Sequence, residues 1–206
     1  MPGREDWWDA AARESDDDLR ERILTGFKSG KPFTPYAPTI GWPPVGSVLD
    51  FGCGVGRNFP YLRSVASKIA GFDLPPMIAR CRHIAPDGAD VLADDWSSVR
   101  QQRFDLVYAS LVLQHIETTA IRAFLADFAT MAPVIYLLTR IDSDFGANVF
   151  ELVGAEPRLA PGPCHEVEHD YDTHQLRVLG QPSFDEARAA RPGRHFEILL
   201  RRQIAR

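Results

Sequence analysis

Val48-Leu49-Asp50-Phe51-Gly52-Cys53-Gly54-Val55-Gly56-Arg57-Asn58 passes from a short apolar run, through three glycines at alternate positions, into a segment with helical character. A strand, a glycine-rich turn and a helix in that order make a nucleotide-binding arrangement. Glycines let the backbone turn tightly and approach a ligand closely, and the helix start presents unpaired N–H groups. Spacing narrows the ligand. The dinucleotide fingerprint GxGxxG places its third glycine three positions after the second. Here Gly56 follows Gly54 by two, and Arg57 occupies the fingerprint position. A nicotinamide-dependent oxidoreductase needs the spacing that this loop lacks.

Outward from the loop the chain alternates. Ser47–Phe51 reads as a strand, Asn58–Val65 as a helix, and Lys68–Asp73 as a second strand. Pro75-Pro76 then opens a helix, a position where proline is tolerated. Asp90–Ala93 is a brief third strand and Phe104–Ala109 a fourth. Ile121, Phe124, Leu125, Phe128 and Met131 form one helical face, and Val134–Thr139 is a fifth strand, apolar almost throughout. Apolar strands alternating with helices predict an α/β fold with a parallel sheet covered on both faces. Near the C-terminus, His174–Leu179 and His195–Leu200 alternate like strands and are expected to pair antiparallel at one sheet edge.

Upstream, residues 5–28 read as a helix carrying the solvated run Asp16-Asp17-Asp18. Residues 29–46 are rich in glycine and proline and read as an extended loop. Residues 1–45 are therefore expected to be an appendage, too short to own a core, with the main domain at 46–206.

The 206 residues suit one domain, and 45% hydrophobic with 25% charged residues is an ordinary globular balance. The three cysteines, Cys53, Cys81 and Cys164, are widely spaced, so no disulfide framework or zinc knuckle is expected. The polar start lacks an apolar signal core, and no run approaches a membrane span, so a soluble, cytoplasmic protein is expected. A net charge of −5 disfavours a nucleic-acid partner, which calls for a basic surface.

The pattern Asp50-x-Gly52-x-Gly54-x-Gly56 resembles motif I of class I S-adenosylmethionine-dependent methyltransferases, and the resemblance runs over roughly residues 46–140. It implies a Rossmann-like three-layer sandwich, with a mostly parallel seven-stranded sheet, an antiparallel edge strand and an N-terminal helical lid. It also implies S-adenosyl-L-methionine as cofactor. Asp50, Gly52, Cys53, Gly54, Gly56 and Asn58 would form its cradle. Asp73, with Leu74 beside it, ends the second strand, where a carboxylate can accept from both ribose hydroxyls. Asp95 would take the adenine amino group, with Asp94 as a competitor and Trp96 as a flat wall. Phe104–Ile116 looks like the family's fourth-strand motif, which brings Ser110 to the cofactor and His115 near the methyl acceptor. His115 is the candidate general base, at the strand end where open α/β sheets bind ligands. Plain packing remains the alternative reading of His115 and Trp96, and helix capping that of Asp73 and Asp95.

Arg140, Asp142 and Asp144 follow the fifth strand and could meet a charged acceptor, and Trp7, Trp8 and Tyr36 could belong to the lid. His165-Glu166-Val167-Glu168-His169 fits HExxH, but Pro161-Gly162-Pro163 before it makes a poor frame for the zinc-binding helix, so no metal is expected. The expected activity is methyl transfer to a small molecule at oxygen, nitrogen or carbon, by a monomer or homodimer. A non-catalytic cofactor-binding module and a peptide or protein methyltransferase are the alternatives.

Overall fold

The computed structural model describes residues 10–15, 17–19, 44–85, 87–116, 118–140, 168–171, 174–179 and 195–202. They form two compact units, one ending at Phe104 and the other beginning at Asp105.

The first unit is built on β1 (Val45–Phe51), β2 (Ala66–Phe72) and β3 (Val91–Ala93). β1 pairs in parallel with β2, and β2 with β3. α1 (Phe59–Val65) and α2 (Pro75–Ile84) carry proline in their first turns, where its missing N–H costs no helical bond. α1 runs straight into β2. Ala66, its C-cap, is already extended at φ −135°, so β2 opens two residues before the sequence suggests. α3 (Trp96–Val99) is a single turn capped by Asp95. Val48, Leu49, Leu62, Ile69, Met77, Ile78 and Cys81 are buried here.

Phe59 is the centre of this unit, 1% exposed among three glycines. A Cβ on Gly56 would stand 2.5 Å from its ring, one on Gly71 would stand 3.0 Å from Cζ, and one on Gly88 would overlap the ring. At Gly71 the added carbon would also meet Leu92 at 2.8 Å and the Cys53 sulfur at 3.0 Å. Three missing side chains thus let α1 approach β2 and the turn before β3.

Of the helix expected at 5–28, the described part is interrupted. Residues 12–15 leave the helical conformation, and Ser15 starts a new turn over 17–19. Its Oγ accepts from the Asp18 N–H at 3.2 Å and donates to the Asp18 carboxylate at 2.5 Å. A serine hydroxyl that bonds the backbone favours helix starts over helix interiors. Ala11, Ala12 and Leu19 are buried with Val55 and Met77, and the Arg80 guanidinium donates to the Glu14 carbonyl at 2.7 Å.

The second unit holds β4 (Leu106–Ser110), a 3-10 turn (Leu113–His115), α4 (Thr118–Met131), β5 (Val134–Arg140), β6 (Glu168–Tyr171), β7 (His174–Leu179) and β8 (His195–Arg202). β4 and β5 are parallel; β8 joins β5 antiparallel, β7 joins β8, and β6 joins β7, all antiparallel. All five residues of β4 are buried, as its apolar run predicts. Tyr108 and Tyr136 face each other in register and stack at 4.9 Å. Ile121, Leu125, Phe128 and Met131 on α4 are buried.

The described residues thus hold eight strands where seven were expected, and β6 joins the two C-terminal strands expected to pair antiparallel at the edge. β6 is the strand that the sequence hides, since Glu168-His169-Asp170-Tyr171 is short and has no apolar alternation. Glu168 and His169 of the HExxH match therefore lie on a strand, while His165, Glu166 and Val167 lie outside the described residues. No described helix is long and apolar enough to cross a membrane.

Candidate functional site

Asp50 and Asp73 stand at the C-terminal ends of neighbouring parallel strands, one residue before the end of β1 and one past the end of β2. The glycine loop between β1 and α1 joins them. Gly52, Gly54 and Gly56 have φ of 72°, 58° and 81°, the left-handed region that only glycine enters without cost. Backbone N–H groups of Gly52 and Cys53 donate to the Phe72 carbonyl at 2.8 and 3.1 Å, which stitches the loop to the end of β2.

The Asp73 carboxylate is held from both sides. Gly54 N–H donates to Oδ2 and Leu74 N–H to Oδ1, each at 2.7 Å. Burial pushes its carboxyl up to about 6, against the pull of those two donors. It is not a helix cap: Leu74 occupies that position and makes no side-chain cap bond. Each Asp73 oxygen keeps a lone pair, and a vicinal diol needs such acceptors.

Asp50 is different. It is fully buried, and no backbone N–H among the described residues bonds either carboxylate oxygen. Desolvation pushes it up to about 7; Arg57 and Asn58 draw it down, and the charge of Asp73 pushes it further up. A buried carboxylate is costly in isolation, and Arg57 and the Asn58 side chain offset part of that cost. Asn58, also buried, is the N-cap residue of α1, without a side-chain cap bond. Cys53 is buried as well, its thiol pushed up by contact with the Cys81 thiol and by burial.

Asp95 is engaged as the cap of α3. It accepts from Ser97 N–H at 3.0 Å, from the Ser97 hydroxyl at 2.7 Å and from the Ser98 hydroxyl. Those hydroxyls, Ser98 first, hold its carboxyl below the usual range. Trp96 packs edge-on to Phe51 at 5.2 Å and tilted on Phe72 at 5.0 Å, while Phe51 and Phe72 stack at 5.4 Å. These three rings gather where β1 and β2 end. Sequence reasoning missed Phe51 and Phe72, although each directly adjoins a site aspartate. In the second unit, Ser110 ends β4 buried, and His115 closes the 3-10 turn half-buried. Between them Leu111 takes φ 58°, its N–H bonded to the Leu138 carbonyl at 2.7 Å. Arg140 ends β5; Asp142, Asp144, Trp7, Trp8 and Tyr36 lie outside the described residues. No group of three or more metal-ligating side chains occurs among the described residues.

Parallel strands whose ends carry a left-handed glycine loop and paired acids define the Rossmann-like class. Within that class the chain belongs to the methyltransferase-domain family, whose model matches residues 11–146. It is 39% identical over 70 residues to trans-aconitate 2-methyltransferase of Escherichia coli O1:K1 / APEC. That match spans 32% of this chain and 28% of the relative's length. Among solved structures, it is similar to a TehB-like SAM-dependent methyltransferase from Corynebacterium glutamicum, with TM-score 0.55, 16% identity, and 94% and 99% of the two chains covered. It is also similar to the N-methyltransferase NodS of Bradyrhizobium japonicum, in complex with S-adenosyl-L-homocysteine, with TM-score 0.50, 16% identity, and coverage of 92% and 86%. The likeness shows the fold: a mostly parallel, Rossmann-like methyltransferase fold of five parallel strands and flanking helices.

Proposed function

We propose that this chain is an S-adenosyl-L-methionine-dependent methyltransferase acting on a small-molecule acceptor at oxygen, nitrogen or carbon. The observation that carries the reading is the left-handed glycine loop at Gly52, Gly54 and Gly56 beside Asp73, whose carboxylate is oriented by Gly54 and Leu74. The residues fit the cofactor: Asp73 accepts from the ribose hydroxyls, and Asp50 and Asn58 face the amino-acid end across Gly52, Cys53, Gly54 and Gly56. Trp96, with Phe51 and Phe72, offers the apolar wall for adenine. Asp95 shares its oxygens with Ser97 and Ser98, so the adenine amino group falls to its spare lone pairs or to exposed Asp94. Ser110 joins the cofactor site in this reading, as the family resemblance implies.

The cofactor supplies an electrophilic methyl group on a sulfonium. The chain's own part is to hold the ligand, exclude water and place the acceptor in line. Where the acceptor must lose a proton, His115 takes it. Residues 1–45 are read as an appendage closing over the cofactor, supported by the burial of Ala11, Ala12 and Leu19 with Val55 of the loop. The named substrate of the Escherichia coli relative is a small carboxylic acid, which supports a small acceptor. The protein is read as soluble and cytoplasmic.

Calorimetric titration with S-adenosylmethionine, S-adenosylhomocysteine and NAD tests the cofactor. Once an acceptor is identified, His115→Ala is expected to lower kcat by about 10²-fold or more, the scale of general-base loss. Intact turnover would remove His115 from the chemistry.

A further inference from the structure

The two halves of the glycine loop are held differently. Backbone bonds to the Phe72 carbonyl fix the first half, at Gly52 and Cys53. The second half, Gly54-Val55-Gly56, carries a single side chain. Its glycines sit at φ 58° and 81°, and holding so permissive a residue in one conformation costs backbone entropy. Val55 offsets that cost by being buried, and its partners are Met77 of α2 together with Ala11, Ala12 and Leu19 of the N-terminal segment. Leu19 is the largest of those three and is fully buried. One turn along α2 from Met77, the Arg80 guanidinium fastens the same segment through the Glu14 carbonyl at 2.7 Å. Next to Val55, the Gly54 N–H donates to the Asp73 carboxylate at 2.7 Å. A continuous path thus runs from Leu19 through Val55 and Gly54 to Asp73.

We infer that Leu19 is a positioning residue for cofactor binding. Through Val55 it holds Gly54 in the conformation that orients Asp73, so its effect passes through the loop and needs no contact with the ligand. This rests on the cofactor reading above. Such coupling is reciprocal: if docking of the segment strengthens binding, the ligand strengthens docking. Arg13, exposed within the segment, reports that docking to trypsin.

The test is calorimetric titration of the full chain with S-adenosylhomocysteine, well below the unfolding transition, with circular dichroism confirming that each variant is folded. Leu19→Ala and Val55→Ala are each expected to weaken binding about fivefold or more. The double variant should be no weaker than Val55→Ala alone, because both changes cut one path. Leu19→Met, which keeps an apolar side chain of similar volume, should restore the affinity. Tryptic cleavage after Arg13 under native conditions proceeds by local opening, and a ligand slows it only if the opened form binds that ligand less tightly. Saturating S-adenosylhomocysteine should therefore slow this cleavage about fivefold or more in the wild type and leave it unchanged in Val55→Ala. Should the variants fail to fold, the wild-type cleavage rate carries the test. Unchanged affinity in folded Leu19→Ala, or wild-type cleavage indifferent to bound ligand, overturns the inference. Protection that persists in Val55→Ala overturns the path through Val55. Absence of any binding by the wild type overturns the cofactor reading instead.

Discussion

Asp50, buried, and Asp73, half-buried, carry different lessons about a desolvated carboxylate. At Asp73 two short backbone bonds offset part of the desolvation, and the group is oriented for a ligand. Asp73→Ala is expected to cost roughly 1–3 kcal/mol of cofactor affinity, the scale of a lost charge-assisted hydrogen bond, read from the calorimetric Kd. At Asp50 the compensation comes instead from Arg57 and the Asn58 side chain, and desolvation outweighs it. Its displacement from 3.8 to about 7 costs the ionised, ligand-free protein on the order of 4 kcal/mol. The sign follows from the raised value: this share of stability is present below pH 3.8 and is lost as pH rises through about 7. Asp50→Asn should therefore unfold at a higher temperature than the wild type at pH 8, with a gain of about 1–2 kcal/mol after the cost of a buried amide. At pH 4 the gain should vanish. A variant that is no more stable at pH 8 would mean that Asp50 is not housed at a cost.

At the scale of elements, Phe59 and its three glycines set how closely α1 lies on β2. Gly71→Ala places a methyl within 2.8 Å of Leu92 and 3.0 Å of both Cys53 and Phe59, backed by strand and loop. The expected loss is about 1–3 kcal/mol, the range for overpacking, measurable by urea denaturation. Arg63 adds a second tie between elements. It donates to Ser67 and Gly88 carbonyls and to Asp90, which in turn accepts from Ile69 N–H. The pair is half exposed, so Arg63→Ala should cost less, about 1 kcal/mol. These ties were invisible beforehand. Gly56, Gly71 and Gly88 are far apart in sequence, and a glycine that accommodates a distant ring looks like a turn glycine. The strands themselves were legible where burial is two-sided: β4 and the Ile135–Leu138 stretch of β5 read as apolar runs because they are buried. β6 was not, because its four polar residues give neither run nor alternation.

Over the whole molecule, the legible part is the repeating strand–helix order and the glycine loop, both of which depend on local backbone demands. Glycine spacing excluded the dinucleotide loop, and three left-handed φ values at Gly52, Gly54 and Gly56 give the physical reason for those residues. What sequence could not apportion was each acid's partner. Asp95 precedes two serines, a capping arrangement, and only coordinates show both its oxygens so engaged. Likewise the contact of Ala11, Ala12 and Leu19 with Val55 and Met77 joins residues far apart in the chain. Leu19→Ala is expected to destabilise by about 2–4 kcal/mol as a buried leucine truncation, and to expose the N-terminal segment to limited proteolysis. The central claim concerns the ligand, and it is tested most directly by titrating the purified chain with S-adenosylhomocysteine and NAD in parallel. Saturable binding of S-adenosylhomocysteine, weakened by Asp73→Ala and absent for NAD, is the predicted result. Tight NAD binding with no response to S-adenosylhomocysteine would contradict it.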